Sequence, residues 1–225
     1  MWPELLFGMA VVTTAAPATQ AASLRFLALG DSYTIGEGVA AEGRWPHQLA
    51  RRLRADGIDL RDPTIVAVTG WTTDELSGAM DAASLAPPYD FVTLSIGVNN
   101  QYRGRDVENY RAEFRALLGR AIALAGERPQ RVVVVSIPDW GATRFGRESG
   151  RDTNEIARQL DAYNAVNREE SARRGVAWAD VCAISRKAGD ATDQLADDGL
   201  HPSARQYDAW LTTIVPQARR ALSSP

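Results

Sequence analysis

Two short stretches of the sequence contain residue types that could perform nucleophilic chemistry. An apolar run over residues 24–29 leads into Ser32, and near the other end of the chain Asp198 stands three residues before His201. A serine hydroxyl is a weak nucleophile until an oriented base removes its proton. At this spacing Asp198 can bond one imidazole nitrogen of His201 and leave the other nitrogen for the serine, as in a Ser-His-Asp triad. The pattern predicts hydrolysis through these three residues.

Each of these residues also has an ordinary structural role. A serine or aspartate at a turn from strand to helix often caps free N–H groups, which is the alternative for Ser32 and the role that we assign to Asp31. Asp198 could form a turn with the glycine that follows it and leave His201 on the surface. Asp197 is the alternative acid, but its four-residue offset from His201 suits such a turn less well.

His47 is the competing base, because the chain contains only two histidines. It lies in an amphipathic segment, where a histidine on a helix surface is expected, so we assign the role of base to His201. The shortage of histidines also argues against a multi-histidine metal site. The single cysteine, Cys182, excludes an intrachain disulfide and a cysteine metal cluster.

Acyl transfer also needs hydrogen-bond donors aimed at the negative charge that forms on the carbonyl oxygen. The backbone N–H groups of Ser32 and Gly70 and the side-chain amide of Asn99 are the candidates, with turn formation as the alternative for Gly70 and Asn99. Each candidate follows a separate apolar run. In open α/β sheets, ligands bind outside the carboxyl ends of the strands, so we expect the three donors to lie at one edge of a sheet.

Strand-like and helix-like segments alternate beyond residue 23. Short apolar runs predict buried parallel strands over residues 24–29, 64–68, 91–96 and 132–137, with a weaker fifth over 176–179. The intervening segments have helical spacing, and Pro216 should kink or split the last helix. This alternation predicts an α/β fold with right-handed crossovers and helices on both faces of the sheet.

Length and charge limit the class of protein. The 225 residues are enough for one domain with a substantial core. The formal net charge of −3 argues against nucleic-acid binding, which favours a basic surface. No apolar run is long enough to span a bilayer, so we expect no stable membrane insertion, while the oligomeric state stays open.

Residues 1–22 differ in composition from the rest. A short apolar run over residues 5–12 precedes an alanine- and threonine-rich stretch, and Ala16-Pro17-Ala18 fits an export cleavage site. No Lys or Arg precedes the apolar run, and Glu4 is acidic. We interpret residues 1–22 as a signal peptide or a disordered leader, with a periplasmic or secreted location slightly favoured, and residues 23–225 as a single catalytic domain.

Four separated blocks of the chain resemble those of the SGNH, or GDSL-type, hydrolases, which are named for a catalytic Ser, Gly, Asn and His. The blocks are Gly30-Asp31-Ser32-Tyr33, Val68-Thr69-Gly70-Trp71-Thr72-Thr73, Gly97-Val98-Asn99-Asn100 and Asp198-Gly199-Leu200-His201-Pro202. Tyr33 stands where Leu is common in the family, and Asn100 replaces the usual Asp. The order and spacing of the blocks agree with the family over nearly the whole domain.

The resemblance implies a three-layer α/β/α sandwich of the SGNH/flavodoxin-like type, with a parallel sheet of about five strands. It implies hydrolysis of esters or thioesters without a cofactor or metal. Ser32 would be the nucleophile, His201 the general base and acid, and Asp198 its orienting partner. The oxyanion donors would be Ser32, Gly70 and Asn99. A neutral amide at position 100 cannot make the charge-assisted bonds of a carboxylate, so this loop should differ from the family pattern.

Substrate specificity is predicted to lie in loops 36–43, 101–104 and 138–152. The candidate residues in the last two loops are Tyr102, Arg103, Trp140, Arg144 and Phe145. The aromatic residues could line an acyl groove, with packing of the loop onto the domain as the alternative, and either arginine could meet an anionic head group. The candidate small-molecule substrates are short- to medium-chain acyl esters, lysophospholipids, acyl-thioesters and acetylated sugars.

Two functions of other classes are the alternatives. The first is a nucleotide- or flavin-binding module that uses residues 30–38 as a phosphate loop, although this segment lacks the expected glycine patterns. The second is a non-catalytic carbohydrate-binding relative of the same fold, against which the intact set of catalytic residue types argues.

Overall fold

Five parallel strands form the centre of the fold in the computed structural model, which describes residues 23–223. The strands are β1 (Phe26–Gly30), β2 (Thr64–Ala67), β3 (Phe91–Ser95), β4 (Val132–Val135) and β5 (Ala177–Ala179). Their lateral order is β2-β1-β3-β4-β5, and every neighbouring pair is parallel. The predicted sheet is therefore confirmed. The interpretation of residues 1–22 lies outside the described residues.

Strands β2, β3 and β4 begin and β5 ends at the predicted residues, whereas the other strand ends differ from the prediction by one or two residues. The first strand begins at Phe26 rather than Leu24, because hydrogen bonding to β3 starts where Phe26 pairs with Phe91. Leu24 instead forms an isolated bridge with Leu60. The apolar pattern marks which residues are buried, whereas the register of the neighbouring strand decides where the ladder starts.

Nine α-helices are present among residues 23–223. They are α1 (Ser32–Ile35), α2 (Trp45–Ala55), α3 (Thr73–Ala82), α4 (Val98–Tyr102), α5 (Val107–Leu124), α6 (Arg144–Glu148), α7 (Thr153–Arg173), α8 (Cys182–Ala188) and α9 (Ala204–Ser223). Short 3₁₀ turns cover Ala41–Gly43, Pro129–Arg131 and Trp140–Ala142. No helix in the described part of the chain combines the length and the hydropathy needed to cross a membrane.

The longer helices form two groups against the sheet. Helix α2 packs against α9, which also contacts β3, β4 and β5, whereas α5 packs against α3, α7 and β3. Every residue of β1, β3 and β4 is buried. Because a parallel strand is buried throughout only when both of its faces are covered, the helices cover both faces of the sheet, and the predicted α/β/α layering is confirmed.

Helix α9 is not split at Pro216, and the kink expected at this residue stays a prediction. The helix continues from Ala204 to Ser223 with the proline inside it. Proline removes one backbone hydrogen bond of the helix, but α9 also buries Trp210 and Ile214 completely against the domain. Most helix stability in proteins comes from packing of an apolar face, and this packing holds the helix together across the proline.

Candidate active site

Ser32 lies at the sharp turn between the central strand and a short helix. Strand β1 ends at Gly30, and Ser32 is the first residue of α1. A Cβ atom at position 30 would collide with the Thr34 side chain and lie 2.5 Å from the carbonyl oxygen of Ser95, so the turn requires a glycine. The N–H of a first helical residue has no partner within the helix, which leaves the N–H of Ser32 available to a ligand.

Asp31 caps helix α1, as the sequence predicts. Its Oδ1 accepts a hydrogen bond from the N–H of Tyr33 at 3.1 Å, and the residue is only 2% exposed. Burial raises the pKa of Asp31 to about 7, although hydrogen bonds from the backbone oppose this rise. A carboxyl group that titrates near neutral pH therefore lies next to the serine in the chain.

His201 and Asp198 form a hydrogen-bonded pair. Nδ1 of His201 lies 2.6 Å from Oδ2 of Asp198. Oδ1 of the same carboxylate accepts the N–H of Leu200 at 2.8 Å and the N–H of His201 at 2.9 Å. Burial raises the pKa of Asp198, but these hydrogen bonds together outweigh burial and hold the pKa below its ordinary value. The carboxylate is thus charged and fixed in orientation at neutral pH.

The loop that carries this pair is held by helix α6. The N–H of Phe145 donates to the carbonyl oxygen of Gly199 at 3.0 Å, and Nη2 of Arg144 donates to the carbonyl oxygen of Asp197 at 3.1 Å. Arg144 therefore contacts the backbone of the histidine loop, and its contact with an anionic head group stays a prediction. Asp197 contributes its carbonyl oxygen to this contact, while Asp198 contributes its carboxylate to the histidine.

Ser32 and His201 line the same cavity, which has a volume of about 220 Å³. The imidazole ring lies 5.3 Å from the ring of Tyr33, the residue after the serine. The remaining lining residues are Val98, Asn99, Tyr102, Trp140, Phe145 and Leu200. His47, the competing base, lies half-buried on α2 away from this cavity, and burial is the main reason why its pKa is lowered.

Two of the three candidate oxyanion donors line the cavity. Asn99 lies in α4 directly after β3, and its Nδ2 donates to the carbonyl oxygen of Trp71 at 2.9 Å. A side-chain amide has two N–H groups, so one remains for a ligand. Gly70 does not line the cavity, but it precedes Trp71 in the chain and has φ +88°, which favours glycine. The Asn99–Trp71 bond thus connects helix α4 to the turn that carries Gly70.

Asn100 joins helix α4 to the beginning of α3. It is fully buried, and its Oδ1 accepts the N–H of Thr73 at 3.1 Å. Its Nδ2 donates to Oγ1 of Thr73 at 2.6 Å and approaches Oε2 of Glu113 at 3.4 Å. The Thr73 hydroxyl in turn donates to Glu113. Glu113, which the sequence pattern did not identify, is thus the carboxylate that this network places next to Asn100.

Trp140 is fixed at the wall of the cavity by a chain of amide groups. Its Nε1 donates to Oε1 of Gln101 at 2.8 Å, and Nε2 of Gln101 donates to Oε1 of Gln159 at 2.7 Å. Its ring centre lies 6.0 Å from that of Phe145. Trp140 and Phe145 are thus placed at the cavity as expected for an acyl groove, whereas neither glutamine stood out in the sequence.

Arg103 lies outside the cavity. Its Nη1 forms an ion pair with Glu75 at 3.2 Å, and its Nη2 donates to the carbonyl oxygen of Gly70 at 2.7 Å. The guanidinium therefore braces the turn at Gly70, and its contact with an anionic head group stays a prediction. Tyr102, the neighbouring candidate, lines the cavity with its ring 5.3 Å from that of Trp140.

Several solved structures have the same fold as this chain. One is TesA, with a TM-score of 0.70 and 20% identity over 88% of this chain and 99% of that chain. The psychrotrophic esterase EstA from Pseudoalteromonas sp. has a TM-score of 0.66 and 18% identity over 89% and 99%. A variant of the acetyl xylan esterase Axe2 from Geobacillus stearothermophilus has a TM-score of 0.66 and 19% identity over 87% and 94%. Among curated proteins, none matches the chain by sequence.

The parallel sheet between two layers of helices places the protein in the α/β class of folds. The family comparison is more specific. Residues 28–209 match the GDSL-like lipase/acylhydrolase family, and the chain belongs to this family.

Proposed function

We propose that the protein cleaves carboxylic esters through a Ser32-His201-Asp198 triad and an acyl-enzyme intermediate. The observation that carries the proposal is the 2.6 Å contact between His201 Nδ1 and Asp198, on a histidine that shares a cavity with Ser32. A carboxylate at Nδ1 fixes the tautomer in which Nε2 can accept a proton. This is the arrangement that a serine nucleophile requires.

The reaction would proceed in two displacement steps. Ser32 Oγ attacks the ester carbonyl while Nε2 of His201 takes the hydroxyl proton, and Asp198 stabilises the imidazolium that forms. His201 then gives the proton to the leaving alcohol, and the acyl group stays on the serine. Water, deprotonated by the same histidine, attacks the acyl-enzyme, which releases the acid and restores the serine.

The oxyanion of each tetrahedral intermediate would be bound by preorganised donors. We assign this role to the N–H of Ser32, the free amide N–H of Asn99 and the N–H of Gly70. The first two belong to residues at the cavity. Gly70 is included because the Asn99–Trp71 hydrogen bond positions its turn beside α4.

The substrate class is proposed from the size and chemistry of the cavity. Its walls beyond the reacting groups are apolar and aromatic, and its volume of about 220 Å³ suits a short- to medium-chain acyl group. Acyl-thioesters, lysophospholipids and O-acetylated carbohydrates are the further candidates, because their acyl groups would use the same site. Membership of an acylhydrolase family does not support a nucleotide- or flavin-binding module, or a non-catalytic carbohydrate-binding module.

The test is hydrolysis of a panel of p-nitrophenyl esters, thioesters and acetylated sugars, scored by kcat/KM for the wild type and Ser32→Ala. Ser32→Ala should lower kcat on the order of 10³-fold or more while the fold is kept. The matched control is Ser84→Ala, which removes an exposed hydroxyl away from the cavity. His201→Ala should lose activity to a similar extent, and His47→Ala should keep it. Unchanged turnover in Ser32→Ala would contradict the mechanism.

A further inference from the structure

A second cavity, a groove at the surface, adjoins the catalytic cavity at one side chain. A groove of about 640 Å³ lies between the 101–104 loop and the beginning of α7. Among residues 23–223, Tyr102 is the one residue that lines both this groove and the catalytic cavity. The Tyr102 side chain therefore stands between the smaller, apolar space at Ser32 and the larger space outside it.

One arginine contacts both the ring and the backbone of Tyr102. The guanidinium carbon of Arg151 lies 4.4 Å from the centre of the Tyr102 ring and 5.7 Å from that of Trp140. Nη1 of Arg151 also donates to the carbonyl oxygen of Tyr102 at 2.9 Å. A guanidinium over an aromatic face contributes a modest attraction at exposed sites. We call these contacts of Arg151 with Tyr102 the clamp, and their attraction to the ring is weak enough for the ring to rotate.

The other aromatic wall of the cavity is much more firmly fixed. Trp140 is 2% exposed and hydrogen-bonded to Gln101, whereas Tyr102 is 40% exposed. Replacement or rotation of Tyr102 thus disturbs less of the core than any change at Trp140. The groove is also lined by Ile156, Arg151 and Gln159, and the aliphatic stem of an arginine can cover an apolar chain.

We propose that Tyr102, clamped by Arg151, is the partition that limits the length of the substrate's acyl chain. With the ring in place, the acyl group is confined to the cavity of about 220 Å³. Without the ring, the cavity opens into the groove along Ile156, and longer chains gain contact. This inference rests on the proposed function, because it concerns the substrate of the same site.

The test is the ratio of kcat/KM for p-nitrophenyl octanoate to that for p-nitrophenyl acetate. Each additional methylene that becomes buried contributes about fourfold, which corresponds to ~0.8 kcal/mol. Tyr102→Ala should therefore raise the ratio at least about tenfold. Tyr102→Phe should keep the wild-type ratio, because the ring and its contact with Arg151 remain. Arg151→Ala should raise the ratio by an intermediate amount, since it releases the ring.

A matched control separates the clamp from the loss of any stacked arginine. Arg168 lies on α7 with its guanidinium carbon 5.4 Å from the ring centre of Trp178, away from the catalytic cavity. Arg168→Ala should leave the ratio at the wild-type value. If Tyr102→Ala does not fold, Tyr102→Leu removes the ring while it keeps an apolar side chain, and it should raise the ratio in the same direction.

The outcomes distinguish this inference from the proposed function. A wild-type ratio in folded, active Tyr102→Ala or Tyr102→Leu overturns the partition but leaves the triad standing. Full activity of Ser32→Ala overturns the proposed function itself. If Arg168→Ala raises the ratio as much as Arg151→Ala does, the clamp is also contradicted. The preference for acyl-chain length would then depend on an arginine that does not contact Tyr102.

Discussion

Oδ2 of Asp198 lies 2.6 Å from Nδ1 of His201, while Oδ1 accepts the backbone N–H of His201 itself. Both ends of the carboxylate thus bind the same residue, once through its ring and once through its backbone. The turn between the two residues fixes the imidazole orientation without help from the sheet. The contacts of the whole loop then set the position of the histidine relative to Ser32. They include those from α6 to Gly199 and Asp197 and the hydrogen bond from the N–H of Ala196 to the carbonyl oxygen of His201 at 2.8 Å.

We expect Asp198→Asn to lower kcat on the order of 10³- to 10⁴-fold, with little change in stability. The amide can still accept the two backbone N–H groups through Oδ1, but its Nδ2 would donate to Nδ1 of His201. The proton of the imidazole would then lie on Nε2, where the base must be free. The measurement is kcat for a p-nitrophenyl ester beside a thermal unfolding curve. Asp197→Asn is the control and should stay near wild type; a similar loss there would assign the acid to Asp197.

Asn99→Ala should lower kcat by about 10²- to 10³-fold and change KM much less. The amide would stabilise charge that is present only in the transition state, and removal of one such donor has an effect of this size. Its hydrogen bond to Trp71 is lost as well, so the unfolding temperature must be measured beside the kinetics. Asn154→Ala, at an exposed position at the start of α7, is the control. If KM instead rises by this factor and kcat is unchanged, Asn99 binds the substrate but does not stabilise the oxyanion.

Asp31→Asn should stabilise the protein at alkaline pH but not at acidic pH. Burial raises the pKa of the folded-state carboxyl from 3.8 to about 7, so the folded state binds the proton more tightly than the unfolded state does. Below about pH 4 the group is protonated in both states and costs no stability. Stability then falls as pH rises towards 7, because the unfolded state loses the proton first. The limit of this loss is ~4 kcal/mol. An amide at this position can still cap α1 without titrating.

The measurement for Asp31→Asn is urea unfolding of both proteins at pH 4 and pH 8. The gain in unfolding free energy of the variant over the wild type should be larger at pH 8 than at pH 4. An equal difference at the two pH values would show that the carboxyl of Asp31 does not titrate in this range.

The sequence predicts the sheet and the residues that follow its strands because both depend on local patterns. Ser32 and Asn99 directly follow apolar runs that become β1 and β3, and parallel strands bring their carboxyl ends to one edge. Asp198 and His201 are close in the chain, so their spacing alone suggests the pair. Local order along the chain is therefore enough to predict these four residues as a candidate site.

The supporting contacts could not be predicted, because they join residues that are distant in the chain. Glu113 lies on α5 among residues with ordinary helical spacing, and only the packing of α5 against α3 brings it to Thr73 and Asn100. Glu170 on α7 is a second example: its side chain is 2% exposed and pairs with Arg111, Arg115 and Arg173. A charged residue in an amphipathic helix predicts a solvated face, and nothing local identifies the exceptions.

The contact between Asn100 and Glu113 leads to the last prediction, which concerns a return to the family's usual aspartate. Asn100→Asp should destabilise the protein by about 2–4 kcal/mol, because a buried carboxylate would face Oε2 of Glu113 where Nδ2 now lies at 3.4 Å. Arg105 lies 3.8 Å from the same oxygen of Glu113, so its charge offsets only part of this repulsion. The strain should reach the neighbouring Asn99 and lower kcat.

Addition of Glu113→Gln should reverse most of the effect of Asn100→Asp, because it leaves a single carboxylate in the network. We expect Asn100→Asp/Glu113→Gln to be more stable than Asn100→Asp alone and to recover kcat. A double-mutant cycle of unfolding free energies over the four proteins measures this coupling between the two positions. Additive effects would show that the two side chains do not interact. The position of the carboxylate, at residue 100 or at residue 113, would then have no role in holding α4 and Asn99 against the turn at Gly70.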